Sequence, residues 1–234
     1  YDGGAPLGAQ QSDECRIDSI AQSWAVLSGL APPERARMAV EAALAHLADP
    51  EAGLIRLFAP PFEHTPRDPG YIKGYPPGVR ENGGQYTHAA AWMVQALARM
   101  GRGDEAWALF DSISPISHSQ TRAGAECYRV EPYVIAADIY ADGERRGRGG
   151  WTWYTGSAGW MLRVAVEDIL GLRMRDGRLE VAPCLPSHWP GFTARVRLPD
   201  GTAHRVTAAR GGKGLEITID PPPAGEADER RRKV

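Results

Sequence analysis

The segment from Trp151 to Trp160 combines aromatic rings, hydroxyl groups and small residues in one short run. It contains three Trp and one Tyr, interleaved with Thr, Ser and Gly. Aromatic faces beside hydrogen-bonding groups are suited to a sugar ring. The segment also leads into a helical pattern, and the unpaired backbone N–H groups at the start of a helix favour an anion. This segment therefore predicts a site for a carbohydrate and a phosphate group.

A second segment, residues 74–88, places polar side chains in a glycine-rich turn before another helical pattern. Sugar hydroxyls need donors and acceptors held in fixed directions. The side chains that supply them here are Arg80, Glu81, Asn82 and Gln85. His88 is expected to face the same pocket, from one turn inside the helix. Taken singly, the Arg–Glu pair is an ordinary surface ion pair and the His an ordinary core or surface residue, so the structural interpretation stays open.

Other polar residues have structural explanations that compete with a functional one. Thr155 is placed to cap the last predicted helix, a role that is compatible with anion binding. Asp18 and Glu131 are both predicted near helix starts, where the helix dipole favours a carboxylate. Spacing alone therefore identifies no carboxylate pair for glycoside hydrolysis. The Trp side chains expected in the core, and not at a sugar, are those of Trp24, Trp92 and Trp107.

Apolar residues recur with helical spacing through most of the chain up to Leu172. The predicted helices cover residues 17–30, 33–47, 85–100, 104–113, 130–140 and 155–170. They come in pairs with a short link, and long loops such as residues 50–84 separate the pairs. This rhythm is typical of antiparallel helix hairpins arranged in a ring, where the long loops gather on one face and form a pocket.

After Leu172 the apolar period changes to two, which predicts β-strands. The predicted strands lie at residues 179–181, 193–198, 204–208 and 215–219, with Asp-Gly and Gly-Gly turns between elements. This pattern indicates a small antiparallel β domain that follows the helices. The polar, Pro- and Arg-rich residues 221–234 predict a disordered tail.

Bulk properties exclude several classes of partner and site. At 234 residues with 43% hydrophobic content, the chain is long enough for one large or two small domains. Its net charge of -2 gives no indication of a nucleic-acid partner. Its three widely spaced Cys predict neither disulfides nor a metal site and favour a cytoplasmic location, with the cytoplasmic part of a membrane-anchored protein as the alternative. No apolar run approaches the roughly 20 residues that cross a bilayer, so no membrane contact is expected. Since the chain begins with Tyr1 and not Met, we expect a fragment of a longer protein.

Five segments together resemble glycoside hydrolase family 94, the inverting β-glucoside phosphorylases. These are residues 13–24, 70–84, 128–134, 149–160 and 183–186. The resemblance covers most of residues 12–195, and within the family it is greatest to members that handle β-1,2-linked glucans. It implies a mainly α fold, in which the C-terminal part of an (α/α)6 barrel is followed by a small antiparallel β-sandwich. The implied domains are the barrel portion (1–172), the β domain (173–220) and the tail (221–234).

The resemblance also implies roles for individual residues. By motif position, the phosphate-binding residues are His88, Thr155 and Gly156. The residues that contact the acceptor-side sugar are Tyr75, Arg80 and Glu81. The Arg replaces a Lys that the cellobiose-cleaving members carry, and because Arg makes planar, bidentate contacts that Lys cannot, the identity of the acceptor sugar is left open.

The reaction implied by the family is phosphorolysis of a β-glucan or β-glucoside oligosaccharide, with inorganic phosphate as co-substrate and no further cofactor. Phosphate attacks the anomeric carbon while an Asp acts as general acid, which gives α-glucose 1-phosphate with inversion. The family's Asp-Trp-Asn-Asp-Gly-like acid motif is absent here, and we expect it upstream of Tyr1. The chain is thus expected to be inactive alone, with the missing N-terminal part of the barrel as its partner and a homodimer as a further assembly. Two alternatives stay open: an inverting hydrolase on the same barrel and a non-catalytic carbohydrate-binding module.

Overall fold

The computed structural model of the chain describes residues 1–153, 155–212 and 214–220. Within these residues, helices dominate up to residue 169 and strands follow from residue 172. The helices are α1 (Ser19–Leu27), α2 (Pro33–Leu47), α3 (Thr87–Arg99), α4 (Gly103–Ser112), α5 (Pro115–His118), α6 (Arg122–Tyr128) and α7 (Thr155–Arg163). A π-helical segment, Val164–Ile169, continues α7, and two 3-10 turns cover Gly70–Gly74 and Gly143–Arg145.

The first helix starts where local chemistry in the sequence places it. Asp18 caps α1, since its Oδ1 accepts hydrogen bonds from the backbone N–H groups of Ile20 and Ala21 at 2.7 and 3.2 Å. Pro33 begins α2 at a position where its missing N–H leaves no hydrogen bond unmade. The predicted role of Asp18 at a helix start is confirmed.

Helix α3 forms the centre of the helical part. Ten of its 13 residues are buried, so it contacts neighbours on most of its circumference and not along a single stripe. Helices α1, α4 and α7 pack against it. The main apolar cluster joins Val94 and Leu97 of α3 to Val40 of α2, Ala106 of α4 and Val164 after α7. Burial of this apolar surface is the main force that fixes the helices around α3.

Six two-residue strands in the loops between the helices pair with one another. They are β1 (Ile17–Asp18), β2 (Ala48–Asp49), β3 (Leu54–Ile55), β4 (Phe58–Ala59), β5 (Gln85–Tyr86) and β6 (Asp138–Ile139). The antiparallel pairs are β1 with β4, β2 with β3, and β5 with β6. The last pair sets Tyr86 opposite Asp138. Because β5 leads directly into α3, this pairing fixes residue 138 beside the start of that helix.

The C-terminal part contains two small antiparallel sheets. The strands β7 (Leu172–Arg175) and β8 (Arg178–Val181) form a hairpin, and β9 (Gly191–Arg197), β10 (Ala203–Gly211) and β11 (Gly214–Asp220) form a three-stranded sheet with β10 in the middle. Val206 and Ala208 are buried whereas Arg205 is exposed, as alternation along a strand requires. The strands predicted from the period of two are confirmed.

One predicted helix is wrong. Residues 130–140 are not helical, and the helix of this region is α6. It ends at Tyr128 because the next residue, Arg129, adopts the left-handed conformation with φ of 58°. The following segment is held extended by distant partners, since Ile139 pairs with Gln85 and Ala137 N donates to Trp151 O at 2.6 Å. Glu131 therefore lies in a turn and not at a helix start.

The observed elements are compatible with the C-terminal portion of a helical barrel followed by a small β domain. A closed ring of six helix hairpins and the domain limits at residues 172 and 220 stay predictions. The predicted tail, residues 221–234, lies outside the described residues. Among the residues that the structure describes, no helix combines the length and the apolar character that spanning a bilayer requires.

Candidate functional site

The buried side-chain amide of Asn82 holds the glycine-rich loop of residues 74–84 in a compact conformation. Asn82 Oδ1 accepts a hydrogen bond from Phe62 N at 2.7 Å, and its Nδ2 donates to Phe62 O and Tyr75 O, both at 2.8 Å. An amide side chain matches a backbone N–H and C=O at the same time, which explains why Asn suits this position. Asn82 is fully buried and its polar atoms are used within the fold. The sugar contact expected of it from sequence is wrong.

Gln85 has a similar structural role. Its side chain is fully buried, its Oε1 accepts a hydrogen bond from Ile55 N at 3.1 Å, and its Nε2 lies 3.5 Å from Thr87 Oγ1. These contacts tie β5 to β3 and leave no group directed at a ligand. The sugar contact expected of Gln85 is therefore also wrong, because residue type reveals hydrogen-bonding capacity but not the partner that uses it.

The three predicted acceptor-side residues lie together. The guanidinium of Arg80 lies over the ring of Tyr75, 5.4 Å from its centroid, and over the ring of Trp151 at 5.2 Å. Arg80 Nε is 3.6 Å from Glu81 Oε2, and the two side chains are only 17% and 19% exposed. This ion pair is more withdrawn from water than an ordinary surface pair. Trp151 joins the cluster and so links the two segments that the sequence singled out.

The structure also brings His88 and Gly156 together. A Cβ atom added at Gly156 would lie 2.7 Å from His88 Nε2, so only glycine permits this approach of the start of α7 to the imidazole. Thr155 and Gly156 are both exposed, and Thr155 is the first helical residue of α7, not the capping residue before it as the sequence predicted. An exposed helix start beside an imidazole is an arrangement that can bind an anion.

The environment of His88 favours the neutral imidazole. Its ring stacks on Tyr86 with centroids 5.5 Å apart, and its Nδ1 is buried without a hydrogen-bond partner. Burial lowers the pKa of His88 below its usual value, because a charged ring is poorly solvated there. A bound anion beside the ring would oppose this shift.

Sequence reasoning missed Asp138, which connects the two clusters. It lies on β6 opposite Tyr86, is fully buried, and accepts a hydrogen bond from Trp151 N at its Oδ1 over 3.1 Å. The carboxylate packs so closely on Gly150 that a Cβ atom there would overlap it. Burial raises the pKa of Asp138, and the Trp151 N–H and the Arg80 guanidinium act against this rise. In the sequence, Asp138 is a single Asp within an apolar run. The incorrect prediction of a helix over residues 130–140 gave no reason to assign it to the site.

Exposed aromatic rings border this region. Trp153 is 67% exposed, Trp151 58% and Tyr133 75%. The Trp153 and Tyr133 rings meet edge to face with centroids 6.4 Å apart, and Trp153 Nε1 donates to Glu131 Oε1 at 3.0 Å. Glu131 thus orients an aromatic side chain. Large exposed aromatic faces next to polar groups are suited to sugar rings.

Unsatisfied buried polar atoms are concentrated here. Among the described residues, eight buried side-chain nitrogen or oxygen atoms have no hydrogen-bond partner, and four of them belong to Arg80, Glu81, His88 and Asp138. Such atoms are uncommon in folded proteins and each needs a reason. A polar ligand that shares this region is one physical reason for their clustering.

The backbone is also strained at two of these positions. Arg80 and Trp153 adopt the left-handed conformation, with φ of 51° and 62°. Bulky residues rarely adopt this conformation, and it occurs often at binding sites, where the surrounding structure compensates for its energy. Here the conformation holds the Arg80 side chain between two aromatic rings and the Trp153 side chain at the surface.

Two family models match the chain. Residues 1–171 match the catalytic domain of the glycosyl hydrolase 94 superfamily. Residues 172–220 match the C-terminal domain of glycosyl hydrolase family 65. The candidate site lies entirely within the first match.

Several relatives of known activity are similar over most of this chain. The cyclic beta-(1,2)-glucan synthase NdvB of Rhizobium meliloti (strain 1021) is 57% identical over 94% of the chain and 8% of its own length. The N,N'-diacetylchitobiose phosphorylase of Vibrio proteolyticus is 34% identical over 86% of the chain and 25% of its own length. The solabiose phosphorylase of Paenibacillus borealis is 32% identical over 94% of the chain and 28% of its own length. The chain therefore spans between about a twelfth and about a quarter of these relatives.

Proposed function

Because the chain belongs to the glycosyl hydrolase 94 superfamily, we propose that it is the C-terminal portion of the catalytic unit of an inverting β-glucoside phosphorylase. Its proposed substrates are β-glucans and inorganic phosphate, and its proposed product is α-glucose 1-phosphate. A β-1,2 linkage is the preferred proposal, supported by the likeness to a cyclic beta-(1,2)-glucan synthase.

The observation that carries the proposal is the approach of the start of α7 to His88. The backbone N–H groups in the first turn of any helix lack partners within the helix and attract an anion. Thr155 adds a hydroxyl and His88 an imidazole nitrogen at the same place, where Gly156 leaves the approach open. We assign phosphate to this cradle of His88, Thr155 and Gly156.

The acceptor-side sugar is assigned to the neighbouring cluster of Tyr75, Arg80 and Glu81. The aromatic ring offers an apolar face, while the guanidinium and carboxylate offer donors and acceptors to hydroxyls. The mutual ion pair holds both charged groups in place before a sugar arrives. The exposed Trp151 and Trp153 rings extend this surface.

Asp138 is proposed as a positioning residue that connects the sugar and phosphate clusters. It holds Trp151 through the backbone, faces Arg80 through space, and fixes Tyr86, on which His88 stacks, through the β5–β6 pairing. The carboxylate therefore acts on Trp151 and Arg80, and the backbone of the same residue acts on Tyr86. A misplacement of about 1 Å in such an arrangement can cost about 100-fold in rate.

The proposed reaction is a single displacement. A phosphate oxygen forms a bond to the anomeric carbon as the glycosidic C–O bond breaks on the opposite face, and an acid protonates the departing oxygen. Phosphate takes the place of the water that an inverting hydrolase would activate, so the cradle substitutes for a carboxylate base. The proposed acid is an Asp outside this chain.

The deciding experiment incubates the full-length protein that carries this chain with β-1,2-linked glucan oligosaccharides, with and without inorganic phosphate. The proposal expects glucose 1-phosphate to form only with phosphate. Equal release of free sugar without phosphate would show a hydrolase instead. Binding of the oligosaccharide with no release under either condition would show a carbohydrate-binding module.

A further inference from the structure

A cavity of about 870 Å³ lies between the helical part and the β part of the chain. Its walls come from the end of α3, the end of α7 with its π-helical continuation, the β7 strand, and the sheet that contains β10 and β11. It is separate from the candidate site, since none of the residues proposed for phosphate or sugar lines it. Its arginine side chains are Arg99, Arg163, Arg173, Arg175 and Arg210.

Some of these guanidinium groups are neutralised by carboxylates. Arg173 and Arg99 share the buried Asp168, with nitrogen–oxygen distances of 2.6 and 3.6 Å. Arg163 pairs with Glu167 at 2.9 Å. These pairs account for three of the five positive charges but use only two negative charges.

The remaining two arginines are less well compensated. Arg175 is 67% exposed and lies 3.8 Å from Glu180, a distance that gives a weak ion pair. Arg210 donates to backbone carbonyl oxygens, including that of Pro186 at 2.8 Å, and within the described residues it has no carboxylate within 4 Å. Within 4 Å the five guanidinium groups thus face three carboxylates, and Asp104 acts on Arg210 from farther away. The charge around the cavity remains positive, by at least one.

The residue type determines what such a cavity can bind. Arginine presents a planar set of donors that matches phosphate and carboxylate oxygens in pairs. Several guanidinium groups around one cavity act on the same anion, so a multiply charged anion gains more than a singly charged one. The volume exceeds what inorganic phosphate alone would fill.

We propose that this cavity binds a small, multiply charged phosphate compound, of the polyphosphate or phosphate-ester class. Arg163 belongs to the helical part, and Arg173, Arg175 and Arg210 belong to the β part. The anion would therefore join the two parts, and its binding would stabilise their packing by mass action. This inference does not depend on the reaction proposed for the candidate site.

The test measures binding of inorganic pyrophosphate to the full-length protein by calorimetry. The key variant combines Arg163→Gln with Arg175→Gln, because both side chains are at least half exposed and their loss should leave the fold intact. The matched control is Arg122→Gln on α6, whose side chain is 92% exposed and does not line the cavity. A Thr155→Val variant separates binding in this cavity from binding in the phosphate cradle.

The proposal expects pyrophosphate affinity to fall about tenfold or more in the double variant, since charged hydrogen bonds are lost. Affinity should be unchanged in Arg122→Gln and retained in Thr155→Val. Equal affinity in the double variant, loss confined to Thr155→Val, or no pyrophosphate binding would overturn it. Binding to phosphatidylglycerol vesicles that requires the same arginines, without pyrophosphate binding, would also overturn it by assigning the surface to lipid.

Discussion

Two buried aspartates in this chain have opposite environments. Asp168 accepts a hydrogen bond from Gln95 at 2.8 Å and one from Arg173 at 2.6 Å, so both of its oxygens have partners. Asp138 is equally buried and its Oδ1 accepts a hydrogen bond from Trp151 N, but its Oδ2 has no hydrogen-bond partner of ordinary geometry, although the Arg80 backbone N–H acts on the carboxylate. The fold alone accounts for a fully paired buried carboxylate, whereas an incompletely paired one has room for a further partner.

The same contrast separates the two ends of the molecule. Around Asp138, Arg80 and Trp153 adopt the left-handed backbone conformation, and four buried polar atoms have no hydrogen-bond partner among the described residues. In the C-terminal sheet, β9, β10 and β11 follow regular antiparallel pairing over their length. Backbone strain and unpaired buried groups therefore occur together where we assign function, whereas the strand pairing of the sheet is regular.

The largest expected effect is on stability and comes from the fully paired aspartate. Asp168→Ala removes the partner of two arginines and one glutamine, which should lower the free energy of unfolding by about 3–5 kcal/mol. Asp138→Ala leaves one backbone N–H unpaired and should cost about 1–3 kcal/mol. Urea unfolding at neutral pH, followed by Trp fluorescence, measures both. If Asp138→Ala costs as much as Asp168→Ala, the contrast between the two sites is wrong.

The next effect is on phosphate use and comes from Gly156. Gly156→Ala puts a methyl group against His88 Nε2, so the imidazole and the helix start must separate. We expect kcat/KM for phosphate to fall by about 100-fold, the effect typical of a small misplacement. The matched control is Gly159→Ala in the same helix, where an added Cβ meets nothing within 4 Å. Equal losses in both variants would show that α7 needs its glycines for folding and not for phosphate.

A smaller effect should come from the acceptor side. Glu81→Gln removes the charge that faces Arg80 and should raise KM for the sugar acceptor about tenfold, with little change in the KM for phosphate. Glu126→Gln, which breaks a surface ion pair with Arg122, is the matched control. Initial rates in the synthetic direction measure the effect. An unchanged acceptor KM would remove Glu81 from the sugar site.

The smallest effect is a pH dependence set by His88. Burial lowers the pKa of His88 below its usual value, and a bound dianion favours the protonated ring and raises that pKa again. Anion affinity should therefore increase as the pH falls from 8 toward the pKa of His88, by up to about tenfold for each unit of upward shift. Sulfate is the suitable probe, because it stays doubly charged across this range. A His88→Gln variant with the same pH slope would show that the ring does not contact the anion.

The sequence predicted the regular elements well because their signals are local. The apolar spacing of α2 and the alternation in β10 survive in the structure, since burial follows those patterns. The helix predicted at residues 130–140 was wrong because Ile139 and Ala137 bond to residues far away in sequence. Local patterns contain no information on such partners.

The candidate site was predicted only in part, for the same reason. Asn82 and Gln85 have the polar groups that a sugar needs, but those groups are used by Phe62 and Ile55. Asp138 was not predicted because its proposed role depends on its contacts with Trp151 and Arg80, which only the folded structure shows. The resemblance to family 94 is confirmed by the family match over residues 1–171, and the roles of individual residues stay predictions.

The most direct test of the account is the effect of Thr155→Val and of His88→Ala on the two substrates in the full-length protein. Both variants should raise KM for phosphate at least tenfold while KM for the oligosaccharide changes less than about threefold, because each removes a group assigned to the anion alone. Equal increases in both constants, or no change in the phosphate constant, would contradict the phosphate cradle and reduce these residues to parts of the fold.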